Sequence, residues 1–203
     1  MGIAERKARE KEEMRQRILE AAMSLFIAEG YENVSIRQIA DKIEYSPATI
    51  YLYFKDKEAL FCDIQEAGFK ELCRRQEALR VVQDPMERLN AHGRAYIRFA
   101  IENPHYYDLM FLSNMPMVWD SQLEGSSWGM RSFNYLKSDV QACIEAGVFK
   151  PVDVMLASMA LWSLVHGISS FIITHRWDMI PKEHLENYAF DILQLGVVGM
   201  KQP

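Results

Sequence analysis

Arg37, Tyr51, Tyr53, Lys55 and Lys57 fall within one stretch of the chain and offer one kind of chemistry. Guanidinium and ammonium groups donate to anionic oxygens, and a tyrosine adds a flat ring and a hydroxyl donor. Phosphate oxygens suit such a set, and no bond need be made or broken for it to act. Pro47, Ala48 and Thr49 lie between these residues and have short side chains. Short side chains allow a close approach, and a methyl group there can touch a thymine methyl.

Such groups must be held at fixed spacing, and two helix starts supply it. Ser35 with Gln38 three residues on matches a capping box. Ser46 followed by Pro47 is an N-cap with proline at the first helical position. Helices this short need something to pack on. A short pair joined at Glu44-Tyr45 reads as a helix-turn-helix, whose second helix enters a DNA major groove. Ahead of it, Met14, Ile18, Ala21, Ala22, Leu25 and Phe26 predict an amphipathic helix from about Lys11 to Gly30, with residues 1–10 frayed. The second helix buries Ile36, Ile39, Ala40 and Ile43. The third runs from Ser46 to Tyr53 or Phe54, with Ile50 and Phe54 inward. A fourth begins at Asp56 as N-cap and reaches about Val81.

Beyond Pro85 the chain stays helical. Met86 to Asn103 is periodic through Leu89, Ala95, Ile97, Phe99, Ala100 and Ile101, and Asn103-Pro104 ends it. His105 to Phe111 or Leu112 reads as a short aromatic helix, and residues 113–127 as a mobile loop. Trp128 to Ala146 resumes with Phe133, Leu136, Val140 and Ile144 in phase, capped by Gly147. Val152 to His175 is the most apolar helix, and Pro181 opens the last. Two late helices this apolar predict pairing of subunits as a four-helix interface. No convincing β alternation appears, so the fold class is all-α.

Bulk properties narrow the function classes. The 203 residues carry a formal net charge of −5, which argues against indiscriminate nucleic-acid binding. Residues 1–17 nevertheless hold six Lys/Arg against four Glu, while residues 61–203 hold thirteen against seventeen acidic residues. The basic N-terminal arm, Arg6 to Arg17, extends the cationic region. The opening segment lacks the apolar core of a signal peptide, and no run of 18 apolar residues suggests a membrane span. Met1-Gly2 lacks the following pattern of a myristoylation site. Cys62, Cys73 and Cys143 match neither a zinc pattern nor a disulfide framework, as suits a cytoplasmic protein. The five histidines show no ligand spacing, so no metal and no cofactor is expected. Ser163, Ser169, Ser170 and His166 share a helix without an acid–base pair, which sets an enzyme aside.

Residues 11–60 resemble the N-terminal domain of the TetR family of bacterial transcriptional regulators. The resemblance rests on LFIAEGYENVSI followed by RQIADKIEYSPATIYLYFKDKEALF, with Ala40 in the second helix and Phe54, Lys57 and Leu60 in the closing pattern. Glu44-Tyr45 departs from it, since relatives place glycine and an apolar residue there. The resemblance implies a three-helix DNA-binding domain over residues 1–60 and a larger helical effector-binding and dimerisation domain over 61–203. It implies that Ser35 and Arg37 meet the phosphate backbone or an adjacent base. Pro47, Ala48 and Thr49 would front the recognition helix, Tyr51 and Tyr53 would touch phosphate and base, and Lys57 would bind phosphate. Lys55 adds a rim contact on its charge.

In the second part, Trp162 with His166-Gly167, and the segment Asn103 to Phe111, resemble a C-terminal subgroup of that family. Phe99, Tyr106, Tyr107, Phe111, Trp162 and His166 form the expected effector site. The expected partners are double-stranded operator DNA, a second copy of the chain and a small apolar or aromatic effector, with no membrane. The expected activity is that of a repressor released from a palindromic operator. Two alternatives stand beside it: the tyrosines are packing residues, or the protein binds DNA or a partner with no effector.

Overall fold

The computed structural model describes residues 2–113 and 127–201. Among them the chain is helical, with one isolated antiparallel bridge between Phe149 and Lys201. The helices are α1 (Ile3–Glu29), α2 (Ile36–Lys42), α3 (Pro47–Tyr51), α4 (Lys57–Ala78), α5 (Pro85–Glu102), α6 (Pro104–Tyr107), α7 (Trp128–Glu145), α8 (Val154–Ile173) and α9 (Lys182–Val198). The loop expected over residues 113–127 falls almost wholly outside the described residues.

Two compact units divide the chain within α4, after Ala67, and residues 109–113 group with the first. In the first unit α1 packs on α2, and α2 on α3. Ile18, Ala22 and Phe26 of α1, Ile39 and Ala40 of α2, Ile50 of α3 and Leu60 of α4 are buried. Of the expected caps, Ser35 and Asp56 form, whereas Ser46 stands at the N-cap position of α3 with no side-chain bond to the backbone. Ser35 Oγ accepts from Gln38 N at 3.3 Å, and Gln38 Oε1 accepts from Ser35 N at 2.8 Å. Asp56 Oδ1 accepts from Ala59 N at 2.8 Å.

Two expectations change here. The segment before Lys11 is helical from Ile3, not frayed. Gly2 N donates to Glu5, and the i,i+4 pairs Arg6–Glu10 and Arg9–Glu13 support a polar exposed turn that apolar periodicity does not reveal. Ile36 is only half-buried, so the inner face of α2 is Ile39, Ala40 and Ile43.

In the second unit α5 is central, packing on α7, α8 and α9. Its buried stripe is Leu89, His92, Gly93, Tyr96, Ile97, Phe99 and Ala100, whereas Ile101 is exposed and Ala95 half-buried. A core of Leu89, Leu136, Val140, Cys143, Phe149, Ala157, Leu161 and Val197 joins α5, α7, α8 and α9. At Gly167 a Cβ would meet nothing within 4 Å, so no neighbouring helix requires glycine there. The close approach of α8 and α9 occurs at Gly196, against Leu164. The short helix before residue 113 is α6 followed by a π-helical turn, Asp108–Leu112.

By length and composition α8 would suit a membrane span, though only 33% of its apolar window is buried in the chain. Its outer face carries Leu156 at 64% exposure, with Met155, Met159 and Phe171. On α9, Leu195 is 72% exposed, with Tyr188 and Val198 also outside.

Candidate nucleic-acid interface

The reading head is built from burial inward and short or polar groups outward. Ile50 is fully buried and Phe54 nearly so, and these two fix the rotation of α3. Ala48 then faces solvent, with Pro47 and Thr49 half-buried beside it. Tyr51 is 56% exposed, Tyr53 half-buried and Lys55 exposed. Leu52, which the residue pattern did not single out, is 77% exposed. Leu52 and Tyr51 thus place two exposed apolar side chains side by side at the end of α3. Thr49 Oγ1 lies 3.2 Å from Ser46 Oγ, so the α3 start is held locally.

Ser35 and Arg37 are exposed at the start of α2, with Arg37 3.9 Å from Asp41 on its own face. A pair that open constrains the guanidinium little. The arginines of α1 are not equivalent. Arg15 pairs with Asp63 and lies over the Phe54 ring, and Arg17 lies over Tyr45, so both brace the head. Lys57, the expected phosphate ligand, has protein partners of its own. Its ammonium donates to the carbonyls of Tyr31 at 2.8 Å and Val34 at 2.9 Å.

The turn between α2 and α3 carries a residue in an unusual conformation. Glu44 has φ 63°, the left-handed region where glycine is at ease and other residues are strained. Tyr45 N donates to Ala40 O at 3.0 Å, which closes the turn in the geometry a glycine would adopt freely.

Within the second unit three of the expected effector residues come together. The Tyr107 hydroxyl lies 2.8 Å from His166 Nδ1, and their rings stack at 5.8 Å. Trp162 is 6.1 Å from the His166 ring. Tyr106, next to Tyr107 in the chain, is half-buried. Tyr96 joins the three unforeseen: it accepts from Trp162 Nε1 at 3.3 Å and meets the Tyr107 ring edge-on at 5.9 Å. Its place in phase with Leu89, His92 and Phe99 on α5 was the signal. Phe99 is fully buried, with Arg75 over its ring, and Phe111 belongs to the first unit. Burial raises the Tyr96 hydroxyl to about 12 and lowers His166, so this centre is neutral near pH 7.

A second polar cluster was not legible. Asp139 is 1% exposed and accepts from Arg80 at 2.7 Å, Arg88 at 2.8 Å and His92 Nδ1 at 3.0 Å. His92 Nε2 lies 2.8 Å from Gln76 Nε2. Asp139 lies 47 or more residues from the side chains it accepts from, too far for spacing to connect it to them. Among the described residues no three His, Cys, Asp or Glu side chains are grouped to hold a metal ion.

A helix-turn-helix head and a separate helical unit define a class of DNA-binding regulator. Residues 18–64 match the family described as bacterial regulatory proteins, tetR family, and residues 89–192 match the tetracyclin repressor-like C-terminal domain. The chain belongs to the TetR family. It is a DNA-binding transcriptional regulator.

The regulator HbdR of Aromatoleum sp. (strain CIB) is 26% identical over 190 residues, covering 92% of this chain and 80% of that one. The fatty acid metabolism regulator protein of Bacillus subtilis is 22% identical over 192 residues, covering 89% and 93%. The crystal structure of the TetR family regulator PfmR from Thermus thermophilus superposes with a TM-score of 0.72 at 28% identity, covering 92% and 100%.

Proposed function

We propose that the protein is a homodimeric repressor that leaves a palindromic operator when a small apolar or aromatic effector binds its second unit. The observation that carries the reading is the outer face of α3, where Ala48, Tyr51 and Leu52 are exposed over a buried Ile50. Ser35, Arg37, Pro47, Ala48, Thr49, Tyr51, Tyr53 and Lys55 form the proposed DNA-contacting set. Exposed Ala48 and Leu52 suit thymine methyls, while Arg37 and Lys55 suit phosphates. The apolar outer faces of α8 and α9 form the proposed dimer interface, large enough in side-chain type to need a partner. Residues 1–60 serve as the DNA-binding domain and 61–203 as the effector and dimerisation domain, acting in the cytoplasm.

The effector enters beside Tyr107, Trp162 and His166. That centre is aromatic and neutral, which favours an apolar or flat molecule over a strongly anionic one. The relative named for fatty acid metabolism adds an acyl chain as a second chemistry to test. Because α4 runs through both units, a shift along it changes the spacing of two paired heads. Half-site spacing near one helical turn tolerates little change.

A mobility-shift assay with DNA upstream of the chain's own gene tests this reading. The wild type retards that fragment, Tyr51→Ala loses the shift with the dimer intact, and an aromatic or acyl effector releases it. Equal retardation by Tyr51→Ala would refute the contact set. Retardation untouched by every apolar compound would favour the reading without an effector.

A further inference from the structure

We propose that Lys57 is a positioning residue that clamps the start of α2 to α4, and that it reads DNA through the head it holds rather than by touching phosphate. The inference rests on the DNA-binding reading above. An ammonium has three N–H donors. In Lys57 two of them reach Tyr31 O at 2.8 Å and Val34 O at 2.9 Å, and the charge sits 4.0 Å from the centroid of the Tyr31 ring. Two carbonyls and a ring face thus hold the ammonium against the protein.

The position itself demands a reason. Lys57 is the first residue of α4, where the helix dipole disfavours a cation. Two carbonyls and a ring face reverse that balance, because each presents negative potential to the ammonium. The carbonyls belong to the short 3-10 turn Tyr31–Asn33 and to Val34, immediately before the Ser35 cap. The Tyr31 ring is itself held by Phe26 at 5.2 Å and Phe61 at 5.1 Å. Lys57 thus ties the link between α1 and α2 to the base of α4, and with it the spacing of Ser35 and Arg37 from α3. Movement of the α4 start then reaches the head through this clamp.

Lys57→Met and Lys57→Arg in the full chain test it. Methionine keeps the length without donors, and the guanidinium fork can span both carbonyls. Without DNA, Lys57→Met is expected to speed hydrogen exchange at the Val34, Gln38 and Ile39 amides, and Lys57→Arg to restore most of the protection. Unchanged exchange overturns the clamp.

The second arm uses a duplex enriched by the wild-type chain from a random-sequence library, at a temperature where circular dichroism shows each variant folded. Lys57→Met is expected to bind about tenfold more weakly, the equivalent of one charged hydrogen bond. The slope of log affinity against log salt is expected to stay unchanged. A slope shallower by about 0.9 for each lysine lost marks a direct phosphate contact and overturns the proposal. Wild-type affinity in a folded Lys57→Met leaves only a structural role and overturns it too. A wild-type chain that enriches no duplex overturns the proposed function, and with it the role in reading, while the exchange arm still decides the clamp.

Discussion

Replacing Asp139 tests the packing of the second unit most sharply. Its carboxylate is almost fully buried and holds Arg88 and His92 of α5 and Arg80 of the turn that follows α4. Arg88 and His92 are themselves nearly buried, at 13% and 6% side-chain exposure, whereas Arg80 at 39% can rehydrate. Asp139→Ala therefore leaves the Arg88 charge without its carboxylate, with Val82 O remaining at 2.8 Å, and leaves the His92 ring with Gln76 alone. Removing one partner of a buried pair costs ~3–5 kcal/mol. Discounting Arg80, the expected loss is about 3 kcal/mol, a large share of the ~5–15 kcal/mol that holds a domain together.

At this chain length such a loss lowers Tm by roughly 6–12 °C. Asp139→Asn is expected to cost less. Its Oδ1 still accepts from arginine, and its amide can donate to His92 Nδ1 if the imidazole proton moves to Nε2. That proton then needs an acceptor, and Gln76 Oε1, a buried oxygen without a hydrogen-bond partner, can supply it by an amide flip.

The pH dependence has a definite sign. Burial raises the Asp139 carboxyl, but hydrogen bonds from His92 and Arg88 outweigh it and hold the group below the ordinary aspartate value of 3.8. The folded state therefore binds this proton more weakly than the unfolded chain. Its contribution is complete above the unfolded value and is lost as pH falls through the folded one. Urea unfolding of wild type, Asp139→Asn and Asp139→Ala at pH 7 and pH 3 measures both effects. An Asp139→Ala cost under about 1 kcal/mol at pH 7 would refute the reasoning, since that is the range of an exposed pair.

Other outcomes follow from the same geometry. Glu44→Gly is expected to raise Tm by a degree or two, because relief of a left-handed residue worth ~1–2 kcal/mol slightly exceeds the entropy cost of glycine. A drop in Tm by calorimetry would contradict that. Ser35→Ala removes the cap of the seven-residue α2 and is expected to cost about 1 kcal/mol by urea unfolding. Burial lowers His166 below 6.5, so its contribution is present above that value and lost as pH falls through the folded one. His166→Gln is expected to flatten the fall of Tm between pH 7 and pH 5, and an unchanged slope would count against it.

The head was legible because its signals are local. Ser35 with Gln38 and Asp56 each act within one turn of their own backbone, so their caps follow from spacing alone, while Pro47 sets the start of α3 without a side-chain cap from Ser46. Ile50 and Phe54 fall inward for the same reason. What was missed depends on distance in sequence or on polar residues in apolar phase. His92 and Tyr96 continue the α5 stripe, yet hydrophobicity alone passed over them in favour of Ala95 and Ile101. Asp139 meets Arg80 and Arg88 across more than fifty residues, a pairing no local pattern encodes. Lys57 showed its charge in the sequence, but its carbonyl partners are set by the path of the chain from α1 to α2.

Hydroxyl-radical footprinting of DNA upstream of the chain's own gene tests the central claim most directly. A dimer that places two α3 helices in successive major grooves is expected to protect two symmetric patches about one helical turn, ~34 Å, apart. Tyr51→Ala at the same dimer concentration is expected to leave both unprotected. A single patch, uniform protection along the fragment, or a Tyr51→Ala footprint identical to wild type would contradict the account.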